Sequence, residues 1–189
     1  MNDQGAPVLY AIVTGAPPAR DIDKLIDLAQ ADGWDVCVIA SPEGSRFIDA
    51  DALETKTGHP VRSRYKDPGT PDLFPPADGM IVAPITSNSL AKWAAGISDT
   101  LPLGLLVEAV GKRMPVVAVP STNSALRSFP AIGNAIANLS EWGVTMVAGE
   151  PHSPGAGEGI LNGFPWAQAW AALLEHPWLA VDSEHDTRI

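Results

Sequence analysis

Basic residues are scarce in this chain. Twelve Lys and Arg stand against 22 Asp and Glu, a formal charge of −10 at pH 7, and no basic cluster is longer than Lys112-Arg113. Such a surface does not neutralise phosphate backbones, so nucleic acid is excluded as a partner. There is one cysteine, Cys37, which rules out an internal disulfide. It lies in the apolar stretch WDVCVIAS and reads as a buried core thiol rather than a nucleophile. No apolar run reaches membrane-spanning length, and the start MNDQGAP has neither a basic leader nor an apolar signal core. The expectation is a cytoplasmic protein with no membrane partner. Several motifs are missing as well. No G-x-G-x-x-G follows the first strand, no G-x-S-x-G elbow occurs, and no Cys/His pairs stand at metal-ligand spacing. Dinucleotide, serine-hydrolase and metal chemistry lose their usual sequence support.

Apolar residues, in contrast, are plentiful. They make up 46% of the 189 residues, against 18% charged, a surplus suited to a buried sheet, a subunit interface or both. Val8–Thr14, Asp35–Ala40, Met80–Ala83, Pro115–Val119 and Val144–Val147 are short apolar runs of the kind buried on both sheet faces. Pro84 is expected to stop the third of these. Val61–Tyr65 is more polar and reads as an edge strand. Between the runs lie amphipathic segments. Ile22, Leu25, Ile26 and Ala29 share one helical face, and Leu103, Leu106, Val107 and Val110 share another. A further helix is expected over Phe129–Trp142, and a final one over Phe164–Leu174. Strands alternating with helices predict an open, doubly wound α/β sheet of six mostly parallel strands. Residues 1–180 read as one domain and 181–189 as a polar tail. Lys66–Ala77, with four prolines, and Gly149–Gly163, with five glycines, read as long loops.

Ligands in such sheets bind at the carboxyl ends of the strands. Small polar turns fall at four of those ends: Gly15-Ala16, Ser41, Thr86-Ser87-Asn88-Ser89 and Pro120–Ser124. The third runs from a buried strand into a helix N-terminus, whose first N–H groups have no partner within the helix. It reads as an anion site.

The same positions carry a resemblance. Ala83-Pro84-Ile85-Thr86-Ser87-Asn88-Ser89 is similar to the A-P-A-S/T-A-N-T motif of the homo-oligomeric FMN-containing cysteine decarboxylases. That family includes phosphopantothenoylcysteine decarboxylase and the lantibiotic peptidyl-cysteine decarboxylases. Leu90-Ala91-Lys92, Gly96–Leu101, Thr14-Gly15-Ala16 and Ser41 with Arg46-Phe47-Ile48 resemble its I-A-K, G-I-A-D-N-L, T-G-S and T-x₄-R-F-I segments in order. The resemblance implies a three-layer Rossmann-like flavoprotein fold with FMN as cofactor. It implies phosphate contacts at Gly15, Ala16, Ser41 and Thr86, Ser87, Asn88 and Ser89, with Pro84 and Phe47 near the ring or ribityl chain. It also implies a homotrimer, or a dodecamer of trimers, and flavin-dependent oxidative decarboxylation of a thiol-bearing small or peptidyl substrate.

The chain departs from that pattern where the chemistry is done. The family's catalytic histidine precedes the strand leading to A-P-A, and the matching stretch Gly69–Phe74 has none. Asp72 stands nearby and suits a base beside a flavin, or is a solvated loop residue. His59 lies too early and reads as a loop residue. The family's substrate clamp, P-x-M-N-x-x-M-W, is matched by Pro120–Arg127, which keeps Pro120 and Asn123 only. Asn123 corresponds to the residue that positions the substrate carboxylate; a turn-forming asparagine is the alternative. Ala16 replaces a serine, and Pro17-Pro18 removes two backbone donors. A non-catalytic flavin-binding or assembly subunit is therefore the second reading.

Overall fold

The computed structural model describes residues 5–156 and 163–181. The tail from Asp182 and part of the glycine-rich loop lie outside the described residues. Five parallel strands form one sheet: β1 (Val8–Val13), β2 (Asp35–Ala40), β3 (Gly79–Ile85), β4 (Val116–Pro120) and β5 (Thr145–Met146). Their order is β2-β1-β3-β4-β5. The helices are α1 (Asp23–Ala31), α2 (Ala50–Thr57), α3 (Ser87–Ala94), α4 (Leu101–Gly111), α5 (Ser124–Arg127), α6 (Pro130–Glu141), α7 (Trp166–Leu174) and α8 (Pro177–Val181).

The apolar runs of the strands follow from burial on both faces. Leu9, Ala11 and Val13 of β1 pack with Leu25, Ile26 and Ala29 of α1 and with Trp166, Trp170 and Leu173 of α7. Val8, Tyr10 and Ile12 of the same strand face the other way, toward Leu90 and Trp93 of α3, Leu106 of α4 and Leu139 of α6. Packing decides the position of α1. The helix has no side-chain cap. A missing cap forgoes about 1 kcal/mol, whereas each buried Leu or Ile contributes roughly 1.5–3 kcal/mol. Cys37 is wholly buried in the second layer, and burial, helped by Asp35, pushes its thiol up to about 12.

Three expectations need correction. The sheet has five strands among the described residues, not six. Of the expected edge strand, only Arg62 forms a bridge, parallel to Ile39 of β2. Val61 packs against the core, but Ser63, Arg64 and Tyr65 beyond the bridge form no further strand pairing among the described residues. Second, Pro84 does not end β3, which continues to Ile85. The register shifts between Val82 and Ile85, and this region bonds through carbonyls, which proline retains: Thr14 N–H donates to Pro84 O (3.0 Å) and Ser121 N–H to Ile85 O (2.9 Å). The Ala83–Pro84 peptide is cis. Third, α7 is not the last helix, since α8 follows it through a turn held by His176.

Two polar residues fix the frame. Thr14, immediately after β1, is buried. Its hydroxyl donates to Pro84 O (3.0 Å) and accepts from Thr86 N–H (2.9 Å), so one side chain ties the end of β1 to the end of β3 and the start of α3. His176 is also buried. Its Nε2–H donates to Gly143 O (3.1 Å) and its Nδ1 accepts from Trp178 N–H (3.2 Å), which uses both nitrogens of the neutral ring.

Thr14→Val is expected to cost about 1–3 kcal/mol in urea unfolding, because Thr86 N–H loses its acceptor. Thr14→Ser keeps that acceptor and should restore most of the loss. Burial lowers the His176 pKa below its ordinary 6.5. The unfolded chain therefore takes up this proton before the native one does. Stability from His176 is complete above the unfolded value and falls as pH drops from there to the lower folded value. Unfolding at pH 7 and pH 5 should show this decline, and His176→Gln should flatten it.

Candidate functional site

β1 leads to β2 on one side, and the chain then crosses to β3 on the other. The carboxyl ends of β1 and β3 thus flank the point where the winding reverses, the usual ligand position in an open α/β sheet. A cavity of about 350 Å³ opens there, lined by Gly15, Ser41, Thr86, Asn88, Ser89 and Lys92, with Leu103 of α4 as an apolar wall.

Each lining residue is placed by local chemistry. Thr86 is the N-cap of α3: its Oγ1 accepts from Ser89 N–H (3.3 Å) and donates to Ser89 Oγ (3.1 Å). The i→i−4 ladder opens with Leu90 N–H to Thr86 O (2.9 Å). Ser87 and Asn88 lie ahead of it, so their N–H groups are the helix's first-turn donors. Ser87 Oγ is buried and has no hydrogen-bond partner among the described residues. Lys92 follows Asn88 by one helical turn and adds a cation to the same side, held by Asp99 at 2.6 Å. Ser41 Oγ accepts from Gly44 N–H (2.9 Å), which folds the loop after β2 toward the first loop. Gly15 is required by that approach, because a Cβ there would stand 2.7 Å from Glu43 Cβ. The Glu43 carboxylate is turned to Arg46 (2.9 Å).

The structure brings Gly15, Ser41, Thr86, Asn88 and Ser89 to one cavity, with Ser87 buried at the start of the same helix turn. Three other residues of the FMN pattern stand apart from the lining. Ala16 is buried, and its N–H is occupied by Thr14 O (2.7 Å); that of Ala19 is occupied by Ala16 O (3.0 Å). Pro84 is buried in β3, with its carbonyl engaged by Thr14. Phe47 packs on the α1 side of the sheet, its ring 5.9 Å from the Arg20 guanidinium.

The two catalytic candidates are not brought together. Asn123 caps α5, its Oδ1 accepting from Leu126 N–H (2.8 Å). Asp72 lines a separate cavity and pairs with Lys66 (2.7 Å). Lys66 draws its carboxyl below the usual range, with a smaller contribution from Arg62. His59 bonds to Asp35 at the start of β2 (2.9 Å), at the sheet end opposite the polar turns. Thr14 and Lys92 fall in the T-G-S-like and I-A-K-like segments of the sequence, but neither is assigned a site role there; the i+4 spacing of Lys92 to Asn88 is the signal for it.

Known proteins share this fold and match much of this sequence. A family described as Flavoprotein matches residues 2–163. The mouse phosphopantothenoylcysteine decarboxylase is 30% identical over 144 residues, covering 69% of this chain and 67% of that protein. A coenzyme A biosynthesis bifunctional protein of Thermococcus kodakarensis is 27% identical over 148 residues, 76% of this chain but 36% of its own length. The chain thus spans little more than a third of that relative. Among solved structures, the FMN-dependent cysteine decarboxylase SpaF superposes with a TM-score of 0.70 at 22% identity, over 91% of this chain and 97% of SpaF. With that fold, that cavity and a match over most of its length, the chain belongs to the Flavoprotein family.

Proposed function

We propose that this protein binds FMN at the cavity between the ends of β1, β2 and β3, gripping it by the phosphate, and that it is a decarboxylase-like flavoprotein for a cysteine-bearing small or peptidyl substrate. The observation that carries the reading is the convergence of hydroxyl and N–H donors from three strand ends on one cavity. The residues present fit a phosphate. Ser87 Oγ is a buried polar atom without a hydrogen-bond partner among the described residues, and Gly15 lets the Glu43 loop close on the first loop so that both line the cavity. The α3 N-terminus and Lys92 add positive potential.

In this reading the N–H groups of Ser87 and Asn88 and the hydroxyl of Ser89, which Thr86 positions, hold the phosphate. Lys92 balances its charge, Thr14 keeps the start of α3 in place, and Leu103 shields the apolar side. Bound FMN supplies a two-electron acceptor. Assembly into a trimer, as the sequence resemblance implies, belongs to the same proposal and is supported by exposed Leu126, Phe129 and Trp142.

A second reading, a flavin carrier or assembly subunit without the chemistry, is favoured by the catalytic candidates themselves. Gly69–Phe74 contains no histidine. The Asn123 amide oxygen is committed to a helix cap, and Asp72 is held by Lys66 in another cavity.

Purified protein incubated with FMN should retain flavin absorbance after desalting; a colourless product overturns the reading. Ser87→Asp should weaken FMN binding on the order of 100-fold by like-charge repulsion, while Asp in the first helical turn favours the fold. Carbon dioxide release from cysteine-terminated peptides or phosphopantothenoylcysteine, with flavin reduction, separates the enzyme from the carrier, which should be silent on both.

A further inference from the structure

We infer that the protein carries a second ligand site, apart from the hydroxyl-lined cavity, that takes a small carboxylic acid with an apolar body. The site is a cavity of about 310 Å³ between α4 and the proline-rich loop. It shares no lining residue with the cavity at the strand ends. Its floor is apolar: Tyr10 of β1, Met80 of β3, Leu105 and Ala109 of α4, and Met114. A volume of this size is at the small end of ligand pockets.

The charges around it are unevenly matched. Asp72 is paired with Lys66 at 2.7 Å, and Glu108 is paired with Lys112 one turn along α4. Each acidic group of the lining therefore has its own lysine. The Arg62 guanidinium makes no salt bridge or hydrogen bond among the described residues and feels Asp72 only at longer range. That guanidinium is half-buried and lies 5.3 Å from the Phe74 ring centroid. A ring beneath a guanidinium engages its face and leaves the in-plane N–H donors to find acceptors elsewhere. A half-buried cation in that state is costly without an anion. A carboxylate matches its planar fork of donors in a bidentate manner.

The site is also pre-built. Arg62 is pinned beside β2 by its own N–H to Val38 O (3.1 Å) and by Ala40 N–H to its carbonyl (2.8 Å). Phe74 is buried, edge-on to Tyr10 at 5.8 Å and to His59 at 5.9 Å. Tyr10 donates its hydroxyl to Pro75 O (2.8 Å), which ties the loop down over the floor. An acid would place its carboxylate on Arg62 and its apolar body over Met80 and Ala109. The inference does not rest on flavin binding.

The test uses the purified full chain as isolated, with phenylacetate and hexanoate as probes and phenylacetamide as the neutral match. Methyl signals of Met80 and Met114 report occupancy. Phenylacetate is expected to bind with a Kd on the order of 1 mM, given so few atoms. The amide should bind at least roughly tenfold more weakly, and Arg62→Gln should impose the same loss on the acid. Equal binding of acid and amide overturns the inference, even if Arg62→Gln does not fold. So does the absence of any shift with either acid at about 10 mM, or acid affinity unchanged in folded Arg62→Gln.

Discussion

The buried hydroxyl of Thr14 is the constraint on which the site depends. It receives Thr86 N–H and donates to Pro84 O, so it joins three things at one point: the end of β1, an irregular stretch of β3, and the cap of α3. Parallel strands bond regularly only while their registers agree, and the β3 register shifts after Val82. Thr14 bonds across that irregularity. Because Thr86 is held from behind, its own hydroxyl is directed forward to cap α3 and meet Ser89. The first turn of α3 is thus fixed at the edge of the cavity by bonds within the protein itself.

The two cavities differ in the way they are charged. At the strand ends, neutral hydroxyls, helix N–H groups and one lysine create positive potential without a deeply buried ion. This suits a doubly charged phosphate that must keep some hydration. Beside the proline-rich loop, Arg62 stands over an apolar floor, next to the lysine-paired Asp72 and Glu108. That arrangement favours a singly charged group on a greasy body. Helix α4 walls both, through Leu103 on one side and Leu105 with Ala109 on the other.

Holding a ligand and transforming it place different demands on a chain. Retention needs donors in fixed positions, and short polar turns at strand ends provide them within a few residues. Reaction needs a side chain brought from another element to the reacting atom. Here Asn123 and Asp72 each find a nearer structural partner, a helix N-terminus and a lysine. In the proposed reading, the strand-end turns serve retention, while Asn123 and Asp72 are engaged in structural contacts.

Much of this was legible in the amino-acid sequence. Apolar runs at regular intervals determine a doubly wound parallel sheet, since only strands buried on both faces are apolar throughout. The hydroxyl turn Thr86–Ser89 is local, so a helix N-terminus there could be read from the sequence alone. Other features were decided only by tertiary structure. The sixth strand failed because pairing needs a partner with matching register, and Val61–Tyr65 gained only one bridge. Pro84 stayed within β3 because the bonds there run through carbonyls, which a rule about missing N–H groups does not consider. Thr14 and Pro84 are 70 residues apart, and Tyr10 and Pro75, whose bond ties the loop carrying Phe74 to β1, are 65 apart. Contacts of that range depend on how the layers pack, and a hydroxyl or guanidinium in the chain does not announce which distant carbonyl or ring it will meet.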